Sequence, residues 1–197
     1  MTDSILERWG ITPEELTEVI DQNPSLRGMI LGYLAEFKLE KLWLSGHGIS
    51  DVTKYDDHDR KKKGDRVIRY RNHEFIYESK SLQTSTIKRT AESWVGKAQV
   101  DASDRREVVL PDGSTVTTTC LVKGEFDILA VNVFAFEDTW RFAFAKNSDL
   151  PTSNYKKYTE YQRQHLLATL VEVHWPPRIP FREEPFTLMN EIIQNRI

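Results

Sequence analysis

Apolar and polar residues alternate along this chain with two different periods, and the periods divide it into helical and extended stretches. Residues 13 to 22, PEELTEVIDQ, open on proline and carry acids in the first turn, which predicts a short helix. From 23 to 48 the apolar positions Met29, Ile30, Tyr33, Leu34, Phe37, Leu42 and Trp43 fall mainly three and four apart. That spacing predicts a long helix with one buried side, capped by Asn23 or Ser25 and stopped at Gly46 and Gly48. Residues 50 to 64, SDVTKYDDHDRKKKG, are too polar for a core and read as a loop.

The stretch GDRVIRYRNHEFIYESKS, residues 64 to 81, reads as a hairpin with Asn72 and His73 at its tip. Residues 83 to 101 read as a helix, and 106 to 122 as a hairpin about Pro111, Asp112 and Gly113. Two further strands are expected between 126 and 145, about Glu137 and Asp138; as the most apolar pair they should be central. A helix over 155 to 170, a break at WPPRIP and a last short helix near 186 to 195 complete the chain. This order predicts an α/β or α+β fold, a central mixed β-sheet flanked by helices, in one domain. Within it, residues 1 to 25 form an N-terminal helical extension, 28 to 145 the core and 151 to 197 a C-terminal helical tail.

The hairpin's charges are placed by its geometry. With Arg71 opposite Glu74, counting back sets Asp65 opposite Lys80, and strand alternation puts Glu78 on the same face. Ile68, Tyr70, Phe75 and Tyr77 take the other face, as core packing requires. Asp65, Glu78 and Lys80 thus converge at one end of the hairpin. The alternative to a plain ion pair is a metal site: two carboxylates suit a hard divalent cation such as Mg²⁺, and the five histidines are too scattered to suggest zinc.

Composition narrows the setting. The net charge of −3 gives no bulk attraction to nucleic acid, so a polyanion has to be met by a local basic patch. The one cysteine, Cys120, cannot pair within the chain and is expected to be a buried structural thiol, which suits a reducing cytoplasm. MTDSILERWG lacks the basic start and apolar run of a signal peptide, and the longest apolar run, 126 to 136, falls short of the ~20 residues that cross a bilayer. A soluble cytoplasmic protein, without a membrane partner, is expected.

Asp65, twelve intervening residues and then Glu78-Ser79-Lys80 resemble the PD-(D/E)xK nuclease superfamily, the restriction-endonuclease-like fold. The resemblance covers residues 28 to 145. It implies an α/β core in which Asp65 and Glu78 bind Mg²⁺ on adjacent strands and Lys80 acts on the attacking water, with Mn²⁺ as an expected substitute. It also implies a glutamate on the first core helix, here Glu36 in GYLAE, with Glu40 the weaker candidate. Gly64 stands where the family's name-giving proline would precede the first acid. That leaves Asp57 or Asp59 of YDDHD as alternatives to Asp65.

The activity so implied is DNA phosphodiester hydrolysis, by a restriction or other defence enzyme acting as a homodimer or within a larger complex. The alternative is a non-cleaving nucleic-acid-binding or assembly subunit on the same fold. Residues suited to grip a phosphate backbone surround the motif: Arg60, Lys61, Lys62 and Lys63 before it, Arg66 and Arg69 within it, and Gln83, Lys88 and Arg89 after it. Asp127, inside an apolar strand, is expected to be a buried, hydrogen-bonded acid, the alternative being a further member of the site.

Overall fold

The computed structural model describes residues 4–46, 48–54 and 64–196. Short helices α1 (Ile5–Trp9) and α2 (Pro13–Gln22) each begin on a capping box, Ser4 with Glu7 and Thr12 with Glu15. Asn23 alone links α2 to α3 (Pro24–Leu39), which runs on into a π turn at Glu40–Leu44. The strands β1 (Ile49–Lys54), β2 (Arg66–Tyr70), β3 (His73–Ser81), β8 (Ile128–Asn132) and β9 (Phe142–Lys146) form a five-stranded sheet in the order β1-β2-β3-β8-β9. Only β3 and β8 run parallel, so the sheet is mixed, as expected.

Two smaller sheets are built mainly from the chain between β3 and β8. One joins β4 (Lys88–Arg89), β5 (Trp94–Gln99) and β10 (Leu170–Trp175); the other is the hairpin of β6 (Asp101–Val109) and β7 (Thr115–Cys120). The remaining helices are α4 (Glu160–His165) and α5 (Phe186–Arg196). Side-chain alternation then divides the core in two. Leu129, Val131, Ala143 and Ala145 point from the main sheet onto Ala98, Val171 and Val173 of the second sheet. Ile68, Phe75, Tyr77, Ile128, Ala130 and Phe144 point the other way, onto Leu39 and Leu44 of the first long helix and Leu188 and Met189 of α5. The result is three layers, helices, mixed sheet and small sheet.

Several local expectations are revised. Residues 83 to 101 form strands rather than a helix, apart from one 3-10 turn at Thr84–Thr86: Gly96 and Ala98 are buried while Lys97 and Gln99 are exposed, a period of two that only a strand gives. The C-terminal tail is helical only in α4 and α5 and contributes β10 to the second sheet. Ile49–Lys54 pairs with β2 instead of opening a loop. Most of the apolar stripe expected to be buried on α3 is not: Ala35, Leu39 and Leu44 face the core, Trp43 packs against it and Ile30 is half-buried, whereas Met29, Tyr33, Leu34, Phe37 and Leu42 are exposed. Cys120 is buried, and β8 is buried at every position.

The hairpin tip is also displaced. Arg71 and Asn72 take φ of 49° and 64°, the left-handed pair that matches strand twist, and Tyr70 faces His73. The register therefore moves by two residues, with Arg66 opposite Tyr77. A shift of two keeps every side chain on its face, so the separation of apolar and charged faces survives it.

Gly64 leads into β2 with φ of +72°, and a Cβ there would lie 2.4 Å from Cγ2 of Ile76 and 2.7 Å from the carbonyl oxygen of Tyr77. The position at which the family pattern has proline here needs glycine, for its left-handed φ and for the close approach of the chain to β3. Gly64→Ala is expected to lower stability by about 1 to 3 kcal/mol, read as a fall in the chemical-denaturation midpoint.

Candidate active site

The site forms where the central strand ends. Glu78 and Lys80 are two residues apart on β3 and share a face; Glu78 is only 8% exposed, and its Oε1 lies 2.8 Å from Nζ of Lys80. Asp65 reaches the same place from the start of β2. Its N–H donates to the Tyr77 carbonyl at 2.8 Å, and its Oδ2 accepts from the Ser79 N–H at 2.6 Å. Asp65 is therefore clamped to the backbone of β3, between Glu78 and Lys80, where direct pairing with Lys80 had been expected.

Burial dominates the electrostatics. The Asp65 carboxyl is pushed up to about 6, first by burial and then by the Glu78 charge, against the opposing pull of Lys80 and the Ser79 hydrogen bond. Lys80 moves upward too: burial works against its charge, but Glu78, Asp65 and Asp101 together outweigh it. Lys80 is thus a cation near neutral pH, held by the acids around it.

The helix layer supplies the next charges. Oε2 of Glu36 lies 2.9 Å from Nζ of Lys54 on β1 and 3.9 Å from Nη2 of Arg66. Burial raises the Glu36 carboxyl, the Lys54 hydrogen bond opposes this, and Asp65 raises it further, which ties Glu36 electrically to the acid pair. Glu40, from the π turn, lies 3.1 Å from Nη1 of Arg66.

Arg66, expected to meet phosphate, is instead buried and held by these two glutamates, where a DNA backbone has no access to it. Arg69 is exposed on β2 and lies 3.4 Å from Asp51. Lys88 and Arg89 are exposed on β4, the latter over the Trp94 ring, and Gln83 donates to Gln99 at 2.8 Å. Arg60, Lys61, Lys62 and Lys63, with the rival acids Asp57 and Asp59, lie outside the described residues. Asp127 accepts from the Ile76 N–H at 2.8 Å and pairs with Arg196, so it fastens α5 to β3.

Two charged groups at the site escaped the sequence. Lys54 sits on a strand whose apolar residues, Ile49 and Val52, are three apart and so give no alternation. Asp101 opens a strand in a stretch read as helix.

Among the described residues no three His, Cys, Asp or Glu side chains gather closely enough to hold a metal ion. Two do suit one by their chemistry. Asp65 and Glu78 are hard oxygen donors, and the rise of Asp65 marks excess buried negative charge that a divalent cation would offset; Mg²⁺ commonly takes one or two carboxylates and keeps its waters.

That rise fixes a pH dependence. With its folded-state value near 6 against an ordinary 3.8, Asp65 binds its proton more tightly in the folded chain. Its contribution to stability is full below about pH 4 and is lost as pH rises through about 6. Asp65→Asn keeps an acceptor for Ser79 and removes the charge. In EDTA it is expected to stabilise the protein by up to about 3 kcal/mol at pH 8 and by little at pH 4, read from denaturation midpoints.

No protein-family model matches the chain, and no curated protein matches it in sequence. Among solved structures it is similar to a bacterial homing endonuclease at 15% identity and a TM-score of 0.35, over 73% of this chain and 89% of that one. At that level of likeness nothing about activity transfers, and the chemistry has to come from the site's own residues.

Proposed function

We propose that this chain is a Mg²⁺-dependent endonuclease of the PD-(D/E)xK type that hydrolyses phosphodiester bonds in DNA, as a restriction or other defence enzyme, with Mn²⁺ able to replace Mg²⁺. One observation carries this reading: two carboxylates, the buried Glu78 and the half-buried Asp65, crowd together beside the Lys80 ammonium at the end of the central strand. A surface ion pair contributes only about 0 to 1 kcal/mol, and packing alone does not call for a second acid crowding a buried pair. Unfavourable negative charge concentrated in one place is what a site for a cation needs, and the bound cation would in turn offset the charge of a phosphate.

The residues divide the work by their charge. Asp65 and Glu78 would hold the ion. Bound there, Mg²⁺ would supply positive charge for the phosphoryl oxygens and for a water made more acidic. Lys80, kept protonated by its neighbours, is a poor base near neutral pH; it would donate hydrogen bonds to the attacking water or to a phosphoryl oxygen and stabilise charge as it develops. Asp65, pushed up to about 6 without the ion, would take up a proton as pH falls through that value and give up its hold on the cation. Glu36 acts on Asp65 through charge and holds Lys54 and Arg66 in place. Exposed Arg69, Lys88 and Arg89, together with Arg60 to Lys63, would meet the phosphate backbone.

Plasmid DNA incubated with Mg²⁺ or with EDTA tests the reading. Cutting is expected only with Mg²⁺, and equal cutting in EDTA would remove the metal. Lys80→Ala should slow cleavage by about 100-fold or more while binding to a DNA fragment persists. Cleavage at the wild-type rate would reduce Lys80 to an ion-pair partner.

Neutralising Arg60 to Lys63 should have a different signature. Binding should weaken for all sequences alike, and the slope of log affinity against log salt should flatten by roughly 0.9 for each lost phosphate contact. Salt titration of a labelled duplex reads this; an unchanged slope would move the phosphate grip to another face.

A further inference from the structure

Among the described residues, eight of the twelve exposed large apolar side chains fall between residues 5 and 42. They are not scattered. Met29, Tyr33 and Phe37 follow one another a turn apart along α3, and the π turn at Glu40–Leu44 adds the extra residue that brings Leu42 onto the same line. The buried line does the same, running from Ala35 and Leu39 to Leu44. The helix thus carries two apolar stripes, one on the sheet and one facing outward, with Trp9 and Val19 of the preceding helices exposed nearby in sequence. Met29 is 61% exposed, Phe37 50% and Trp9 63%. A helix that is apolar on both sides is built to be covered on both sides.

We infer that this outer face of α1, α2 and α3 is the interface of a homodimer in which the two copies of α3 run antiparallel. The area is sufficient. Eight large apolar side chains, each 41% to 63% exposed, offer on the order of 100 Å² apiece, close to the ~800 Å² per partner of a stable interface.

The charges select a second copy as the occupant. α2 carries Glu14, Glu15, Glu18 and Asp21 and joins α3 at its N-terminal end, where Arg27 pairs with Asp21 and leaves three acids in excess. The other end carries Lys41, exposed over the Phe37 ring of the outer stripe, and at its margin Lys38, half-buried over the Trp140 ring, while Glu36 and Glu40 at that end turn inward to Lys54 and Arg66. Each copy therefore has an acidic end and a basic end along α2 and α3. A two-fold axis with antiparallel helices sets the acidic end of each against the basic end of the other, as a self-complementary interface requires. A parallel arrangement would oppose like charges. The same acids argue against an anionic membrane, which favours amphipathic helices with basic polar faces.

Sedimentation velocity on the full chain from about 1 to about 100 μM tests this, since such an interface should hold across that range. The wild type should sediment as a dimer. Met29→Asp with Phe37→Asp, both at exposed positions, should give a monomer with unchanged far-UV circular dichroism. Glu14→Lys with Glu18→Lys should weaken association at least tenfold, Lys38→Glu with Lys41→Glu likewise, and the four changes together should restore it. A wild type monomeric throughout overturns the inference, as does an Asp variant that stays dimeric. A charge-reversed quadruple variant no tighter than its parents overturns the antiparallel pairing. A monomer that instead floats with phosphatidylcholine–phosphatidylglycerol vesicles overturns the second copy as the occupant.

Discussion

The parallel pairing of β3 with β8 is the constraint on which the rest of this molecule depends. It sets Glu78 beside Leu129 and Lys80 beside Val131, on the backbone of a strand that is buried at every position. A parallel neighbour cannot be reached by a tight turn, so the chain must cross over. Here the crossover is long enough to build β4 to β7, and β5 then recruits β10 from the far end of the chain. One pairing thereby sets the position of the second sheet, the division of the core and the rigid end of β3.

That rigid end makes the charged residues consequential. Glu78 and Lys80 continue an otherwise apolar strand, and Asp65 is held to it through Tyr77 and Ser79. An exposed carboxylate at such a place would keep its ordinary acidity. These groups are largely enclosed, so each acid feels its neighbour strongly and Lys80 is held in its charged form by them. The helix layer adds a second pairing system, in which Lys54 and Arg66 bind Glu36 and Glu40 and fix the first long helix against β1 and β2. The ion pair of the candidate site and the structural ion pairs are therefore neighbours, and position in the sequence does not separate them: Arg66 is adjacent to Asp65 but is buried on the structural side.

The first long helix serves both readings of the molecule. Its inner side brings Leu39 and Leu44 into the core and Glu36 towards Asp65, while its outer side carries the stripe assigned to self-association. The π turn keeps both stripes in line across the added residue, because a single wide turn shifts the inner and outer positions together. Two copies joined along this helix would hold two candidate sites in a fixed relation, the arrangement needed to cut both strands of a duplex.

Much of the candidate site was legible in the sequence because a hairpin is a local object. Phe75 and Tyr77 alternate with Glu78 and Lys80 by period alone, and a tip misplaced by two residues leaves every side chain on its face. The mixed sheet flanked by helices followed in the same way from the order of periodic segments. What only the tertiary structure decided was non-local. Residues 83 to 101 became strands because Gly96 and Ala98 had a sheet neighbour in β10, more than seventy residues away, and no local pattern announces such a partner. Lys54 and Asp101 reached the site, and Arg66 left the surface, through packing between elements distant in sequence. The sequence alone determined that α3 has an apolar stripe; which stripe faces the sheet was settled by the fit of small Ala35 and of Leu39 and Leu44 against it, and that left the larger Met29, Phe37 and Leu42 outside.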